Sequence, residues 1–204
     1  MGNLNLSISP TVEALKNKKI VCIPTDTIYG LSVSAYEKQL LKKVSELKGR
    51  TSPFILLMDS LNKIRGILNE IPVSFLKLKA ARLIPGPITM LLRVRVKVDY
   101  IVSSEGKVAV RIPSMDFLQK VLRELDFPII STSANISGKP PARTIDDARK
   151  YFGRKVDLYI DGGELGGYPS TIIDLTEDSV KLIREGSIPF NNIIDALKKT
   201  VNTC

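Results

Sequence analysis

One local pattern limits the folds open to this chain more than any other. Short apolar runs of strand length recur, and each is closed by proline or by a loop of small polar residues. Lys19-Ile20-Val21-Cys22-Ile23 stops at Pro24, and Val108-Ala109-Val110-Arg111-Ile112 stops at Pro113. Phe127-Pro128-Ile129-Ile130 opens onto the polar stretch 131–141, and Ser170 to Leu175 follows the glycine-rich stretch 162–167. Between such runs lie segments with helical apolar spacing. One is 37–48, with Leu40, Leu41, Val44 and Leu47 on one face and Gly49 as its stop. Others are expected over 13–18 (capped by Ser9 or Thr11), 61–68, 75–83, 117–125, 146–152 and 192–199. Strands are expected over 19–23, 54–58, 89–98, 108–112, 127–130, 158–161, 170–175 and 180–184, with Arg93, Arg95 and Lys97 on one face of 89–98. Helices alternating with strands, and several direct strand-to-strand steps, predict one α/β domain on a mixed, twisted sheet. The 204 residues suit a single domain over 1–204, with a core over about 8–188 and a short closing helix over 190–200.

Composition removes whole classes of chemistry. The chain has no histidine, so Ser-His-Asp and Cys-His catalysis and His-based zinc sites are excluded. Two cysteines, Cys22 and Cys204, make neither a Cys-rich zinc site nor a disulfide framework, and Cys22 reads as a buried apolar residue. No apolar run approaches the roughly 18 residues of a membrane span. The start, MGNLNLSISP, has no basic region followed by an apolar core, so no signal peptide is expected, and the low cysteine count leads us to expect a reducing, cytoplasmic setting. Thirty Lys and Arg against 21 Asp and Glu give a net charge of +9, which attracts anions or simply keeps the surface soluble. No G-x-x-x-x-G-K-[ST] or G-x-G-x-x-G motif is present, and aromatics are only 6%, against a stacking platform for single strands.

Four segments carry dense polarity beside apolar strands. In Pro24-Thr25-Asp26-Thr27, the plain reading is a turn in which Asp26 accepts backbone amides. Lys48-Gly49-Arg50 either complements a helix C-terminus or forms an anion clamp, with Arg50 bidentate and Lys48 a point charge. Arg111 closes an apolar strand and must snorkel, pair or bind a ligand. Ser131-Thr132-Ser133-Ala134-Asn135 is either a capped turn or a ligand loop of neutral donors and acceptors.

Taken together in order, PTDTIYGL at 24–31, KGR at 48–50, PGPIT at 85–89, VAVRIP at 108–113, STSANISG at 131–138, STIIDL at 170–175 and IREG at 183–186 resemble the YrdC/TsaC family, the threonylcarbamoyl-AMP synthases. The resemblance implies an open twisted α/β sheet with flanking helices and a basic concave face. It also implies condensation of L-threonine, bicarbonate or carbon dioxide, and ATP (with Mg²⁺ on the phosphates) into L-threonylcarbamoyladenylate and pyrophosphate. A transferase partner would then modify tRNA next to the anticodon. The family's KxR…SxN residues fall on Lys48, Arg50, Ser133 and Asn135, which are carried over as catalytic. Thr27, Arg111, Ser131 and Ser170 correspond to the threonine pocket, and Arg50, Lys107, Ser133, Pro141 and Arg184 to the ATP site, with Thr132 beside them. Metal ligands are not readable. The chain departs from the family in a shorter link after Arg50, and in lacking a histidine for which Leu57 or a neighbour must stand. It looks like the single-domain type. Two other readings are a tRNA- or double-stranded-RNA-binding module without turnover, and a HypF-type carbamoyl-transfer domain, to which two cysteines lend little support.

Overall fold

The computed structural model of the chain describes residues 6–49, 54–60, 62–63, 68, 70–94 and 106–201. Arg50, Arg95, Lys97 and Cys204, and most of the helix expected over 61–68, lie outside them. The described strands are β1 (Val21–Ile23), β2 (Gly30–Ser34), β3 (Ile55–Leu57), β4 (Ile88–Arg93), β5 (Lys107–Arg111), β6 (Ile129–Ser133), β7 (Leu158–Tyr159), β8 (Thr171–Asp174) and β9 (Lys181–Arg184). They form one mixed sheet in the order β7-β1-β2-β6-β3-β5-β4-β8-β9. The pairs β1/β7, β3/β5 and β4/β8 are parallel and the other five antiparallel. The helices are α1 (Ile8–Lys16), α2 (Lys38–Lys48), α3 (Val73–Ala80), α4 (Asp116–Glu124), α5 (Ile145–Phe152) and α6 (Phe190–Val201). No helix among the described residues is long and apolar enough to cross a membrane.

Side chains alternate across each strand, so the two faces of the sheet take different partners. On one face Cys22, Leu31, Leu56, Met90, Val108, Val110, Ile130 and Ile173 pack under α2, α3, α5 and α6 through Leu41, Val44, Phe75, Leu78, Ala148, Phe152 and Ile193. On the other face, Val21, Ile23, Leu57 and Ile129 pack under α1 and α4 through Val12, Leu15, Phe117, Leu118, Val121 and Leu122. Among the described residues that second cluster takes no member from β4, β5, β8 or β9.

Several expectations are corrected. Neither Ser9 nor Thr11 caps α1: the helix begins at Ile8, and the Thr11 hydroxyl donates back to the Ser7 carbonyl, 2.7 Å away. Strand β2 was not expected. The stretch 131–141 is not a loop throughout, because β6 runs on to Ser133. There the polar residues extend a central strand, since β2 pairs with Ser131, Thr132 and Ser133 and β3 pairs with Ser131 on the other side. Two helix ends follow the sequence closely. Gly49 closes α2 at φ 71°, a left-handed conformation that favours glycine. Thr144 and Asp147 form a reciprocal capping box on α5.

Candidate active site

Register across the sheet sets the site. Ser32, Ser131, Ile55, Ala109, Leu91 and Asp174 are successive cross-strand partners from β2 to β8, so their side chains share one row on the face that α1 and α4 cover only in part. Two residues along the strands in one direction lie Ser133 (paired with Gly30) and Lys107 (paired with Arg93). Two residues along in the other direction lie Ile129, Leu57 and Arg111. The pleat thus brings Lys107, Ala109 and Arg111 of β5 and Ser131 and Ser133 of β6 onto one face, with rows about 7 Å apart.

Arg111 is 4% exposed. Its Nη1 donates to Thr27 Oγ1 at 2.9 Å, and its Nη2 pairs with Asp26 Oδ1. The other Asp26 oxygen accepts the Ser114 N–H at 3.0 Å and the Ser114 hydroxyl at 3.1 Å. Asp26 therefore accepts the amide of Ser114, 88 residues away, and holds a cation 85 residues away, while the local turn amides of Thr27 and Ile28 go to Thr25 Oγ1 instead. Burial pushes the guanidinium down from its ordinary value and Asp26 pulls it back up. Among the described residues Arg111 Nε has no partner, although it is fully enclosed. Thr25 Oγ1 lies 2.7 Å from the Ile28 carbonyl, which only accepts, so its proton goes there. The Thr27 hydroxyl then donates to Thr25 Oγ1 at 2.9 Å and accepts from Arg111, which leaves it a second lone pair.

Lys48 is 0% exposed at the end of α2. Its ammonium lies 3.3 Å from Ser133 Oγ, 3.0 Å from the Asn135 carbonyl and 3.1 Å from Asn135 Oδ1, with the Ser133 carbonyl closer still. Ser133 Oγ donates to Asn135 Oδ1 at 2.6 Å, and the Asn135 amide donates to the Lys139 carbonyl at 2.7 Å. The structure therefore joins Lys48, Ser133 and Asn135 in one network, with Lys48 directed at the segment after β6; Arg50, their expected companion, lies outside the described residues. Pro141 is half-buried beyond that segment, and Thr132 is buried.

At the far side, Lys107 Nζ donates to Asp174 Oδ2 at 3.1 Å. Asp174 Oδ1 accepts the Thr176 N–H at 2.8 Å and its hydroxyl at 2.6 Å. Burial pushes the Asp174 carboxyl up, but the Thr176 and Lys107 hydrogen bonds outweigh it and hold the group below its ordinary value. Ser170 is buried against Thr89, hydroxyl to hydroxyl at 2.8 Å, and Arg184 donates to the Ser170 carbonyl at 2.8 Å. A Cβ on Gly186 would meet the Pro169 carbonyl at 2.3 Å, so glycine allows this close approach. The buried Tyr29 hydroxyl donates to the Gly163 carbonyl and accepts the Gly162 N–H, both at 2.8 Å, anchoring the glycine-rich stretch that leads to Ser170. Burial pushes that phenol up to about 12, so it stays protonated as a donor at neutral pH.

Sequence reasoning missed Ser32, Thr89, Ser114 and Asp174 as members of the site's framework. The alternation Leu31-Ser32-Val33-Ser34 was a readable strand signal; the partners of Thr89, Ser114 and Asp174 had none. Among the described residues no group of three or more Asp, Glu, Cys or His converges as a metal-binding set. Asp26 and Asp174 are each committed to a cation and to backbone or hydroxyl donors.

Comparisons with known proteins place the chain in a family. The model of the Sua5/YciO/YrdC family, described as "Telomere recombination", matches residues 13–186. The chain is 36% identical over 183 residues to a threonylcarbamoyl-AMP synthase of Pyrococcus abyssi, covering 88% of this chain but only 54% of that protein. It is 34% identical to a putative threonylcarbamoyl-AMP synthase of Methanocaldococcus jannaschii, covering 87% of this chain and 84% of the relative. The crystal structure of P. abyssi Sua5 complexed with L-threonine superposes with a TM-score of 0.85 at 34% identity, over 93% of this chain and 56% of that one. The chain thus spans about half the length of the P. abyssi protein. By a family match that runs from α1 to just beyond β9, the chain belongs to the Sua5/YciO/YrdC family.

Proposed function

We propose that the chain is an L-threonylcarbamoyladenylate synthase that supplies an activated threonylcarbamoyl group for modification of tRNA next to the anticodon. The threonine amine adds to carbon dioxide, supplied as such or from bicarbonate, to give a carbamate and a proton. A carbamate oxygen then attacks the α-phosphorus of ATP, and pyrophosphate leaves. Neither step needs a protein nucleophile. Both need two anionic partners held in line and their charge balanced, which suits a histidine-free site rich in cations and neutral donors.

The observation that carries this reading is the division of one sheet face into rows. Arg111 stands on one side of the Ser131–Ala109 row, where its guanidinium meets Thr27 of the β1–β2 loop, and Lys107 and Ser133 stand on the other. On this reading the Arg111 guanidinium and the spare Thr27 lone pair supply charge and an acceptor for zwitterionic threonine, and Ser131 and Ser170 belong to the same pocket. Lys107, Ser133, Pro141, Arg184 and Arg50 attend the nucleotide. Lys48 and Asn135 shape the segment that presents Ser133. Magnesium arrives on the ATP phosphates as part of the substrate. Relatives named threonylcarbamoyl-AMP synthase and the L-threonine complex of Sua5 support the assignment. A cytoplasmic setting and a transferase that consumes the product belong to the same proposal.

The test is pyrophosphate release from ATP by purified protein, with threonine and bicarbonate omitted in turn, beside a folded Lys48→Ala, Arg50→Ala double variant. Release that needs both co-substrates and is lost in the variant is expected. No release under any combination, with salt-sensitive tRNA binding intact, would overturn the reading in favour of an RNA-binding module.

A further inference from the structure

Both cations on the site face of β5 carry a carboxylate from elsewhere in the chain. Arg111 is held by Asp26 of the β1–β2 loop, and Lys107 by Asp174 at the end of β8. Each carboxylate is itself fixed by a backbone N–H and a hydroxyl of one residue. Ser114 serves Asp26 and Thr176 serves Asp174. The same three-part device therefore appears twice, four residues apart on one strand, with Ala109 between.

We infer that Asp26 and Asp174 are positioning residues with separate duties: Asp26 sets Arg111 for the amino-acid substrate, and Asp174 sets Lys107 for the nucleotide. This rests on the proposed synthase reading and deepens it. Asp26 and Thr27 fix the guanidinium through Nη2 and Nη1, and the enclosed Nε–H is left without a partner among the described residues. A buried donor in that state is costly until a ligand oxygen meets it. Holding the group beforehand also removes the freedom it would otherwise lose on binding. The Lys107 stem has several rotors, and the Asp174 contact selects one arrangement at an end of the site that is less enclosed: the Lys107 side chain is 19% exposed, that of Arg111 5%. The two devices draw on different elements, β1–β2 with the β5–α4 turn against β8 with the turn after it, so each is separately breakable.

The test is steady-state pyrophosphate release by the purified full chain, with KM for threonine and for ATP measured on wild type, Asp26→Asn, Asp174→Asn, and the conservative Asp26→Glu and Asp174→Glu. Asp26→Asn should raise the threonine KM roughly tenfold or more and move the ATP KM less than about twofold; Asp174→Asn should do the reverse. Each Glu variant should recover part of its own defect. Thermal unfolding is recorded on every variant. If Asp26→Asn does not fold, Ser114→Ala, which removes only the hydroxyl contact to Asp26, should give a smaller rise confined to the threonine KM. Folded variants with both KM values unmoved, or both rising together, overturn the inference while leaving the synthase intact. A wild type that releases no pyrophosphate overturns the synthase reading and this inference with it.

Discussion

The two faces of the sheet use the same strands for opposite ends. One is closed along its length by α2, α3, α5 and α6 over aliphatic and aromatic side chains. The other is closed by α1 and α4 over β1, β3 and β6, while the outward positions of β4, β5 and β8 hold Thr89, Lys107, Arg111 and Asp174. Alternation along a strand is what permits this: Val108 and Val110 anchor β5 on one side while Lys107 and Arg111 point to the other. The lesson is a separation of duties at single-residue resolution. One parity is apolar along the whole sheet, whereas the other is apolar over β1, β3 and β6 and turns polar and charged over β4, β5 and β8, so those polar side chains stand on a rigid base.

The largest effect should come from breaking the closed face. Phe75→Ala empties a fully buried site under α3 and should cost about 3–5 kcal/mol in urea unfolding. The protein that remains folded should keep its KM values; a changed threonine KM would mean that the faces are coupled. A smaller effect, on the other parity, should follow Gly30→Ala. Its Cβ would lie 2.4 Å from Ser131 Oγ, so either β2 or Ser131 must shift. A loss of about 1–3 kcal/mol is expected, with activity falling further than stability alone explains. Equal losses in both would mean that Ser131 has no role beyond packing.

The smallest effect sharpens the comparison through pH. Asp174 is held below its ordinary value, so the folded state favours its ionised form. That contribution is complete above the ordinary carboxylate pKa of about 3.9 and is lost as pH falls through the depressed folded value. The stability gap between wild type and Asp174→Asn should therefore be widest at neutral pH and shrink below about pH 4, measured by denaturant unfolding at each pH. A gap independent of pH would show that the carboxylate charge contributes nothing there.

Much of this was legible in the sequence, and the reason differs between residues. The helix 37–48 and its Gly49 stop, the strand around Val108–Ile112 and the turn of α5 are encoded locally, by spacing and by residue type. Arg111 was conspicuous as a cation closing an apolar strand, because such a residue has to pair or bind. Its partner could not be read, since Asp26 stands 85 positions away and meets it only after β1 and β5 enter one sheet. Ser131 and Ser133 looked like loop because their composition is that of loops; pairing overrules that preference, with β2 at both residues and β3 at Ser131. Likewise, Lys48 beside Gly49 read as a complement to the helix C-terminus or as the point charge of an anion clamp, and only the fold reveals that its ammonium turns inward to Ser133 and Asn135.

Strand β5 also works as a gauge. With about 3.3 Å of rise per residue, the Lys107 and Arg111 backbones stand about 13 Å apart. Their charged ends are drawn to opposite flanks, Arg111 to Asp26 of the β1–β2 loop and Lys107 to Asp174 of β8, so while those pairs hold the two cations do not converge on one small anion. The step length of an extended chain, counted over four residues with one alanine between, thus sets two positive charges of the surface apart.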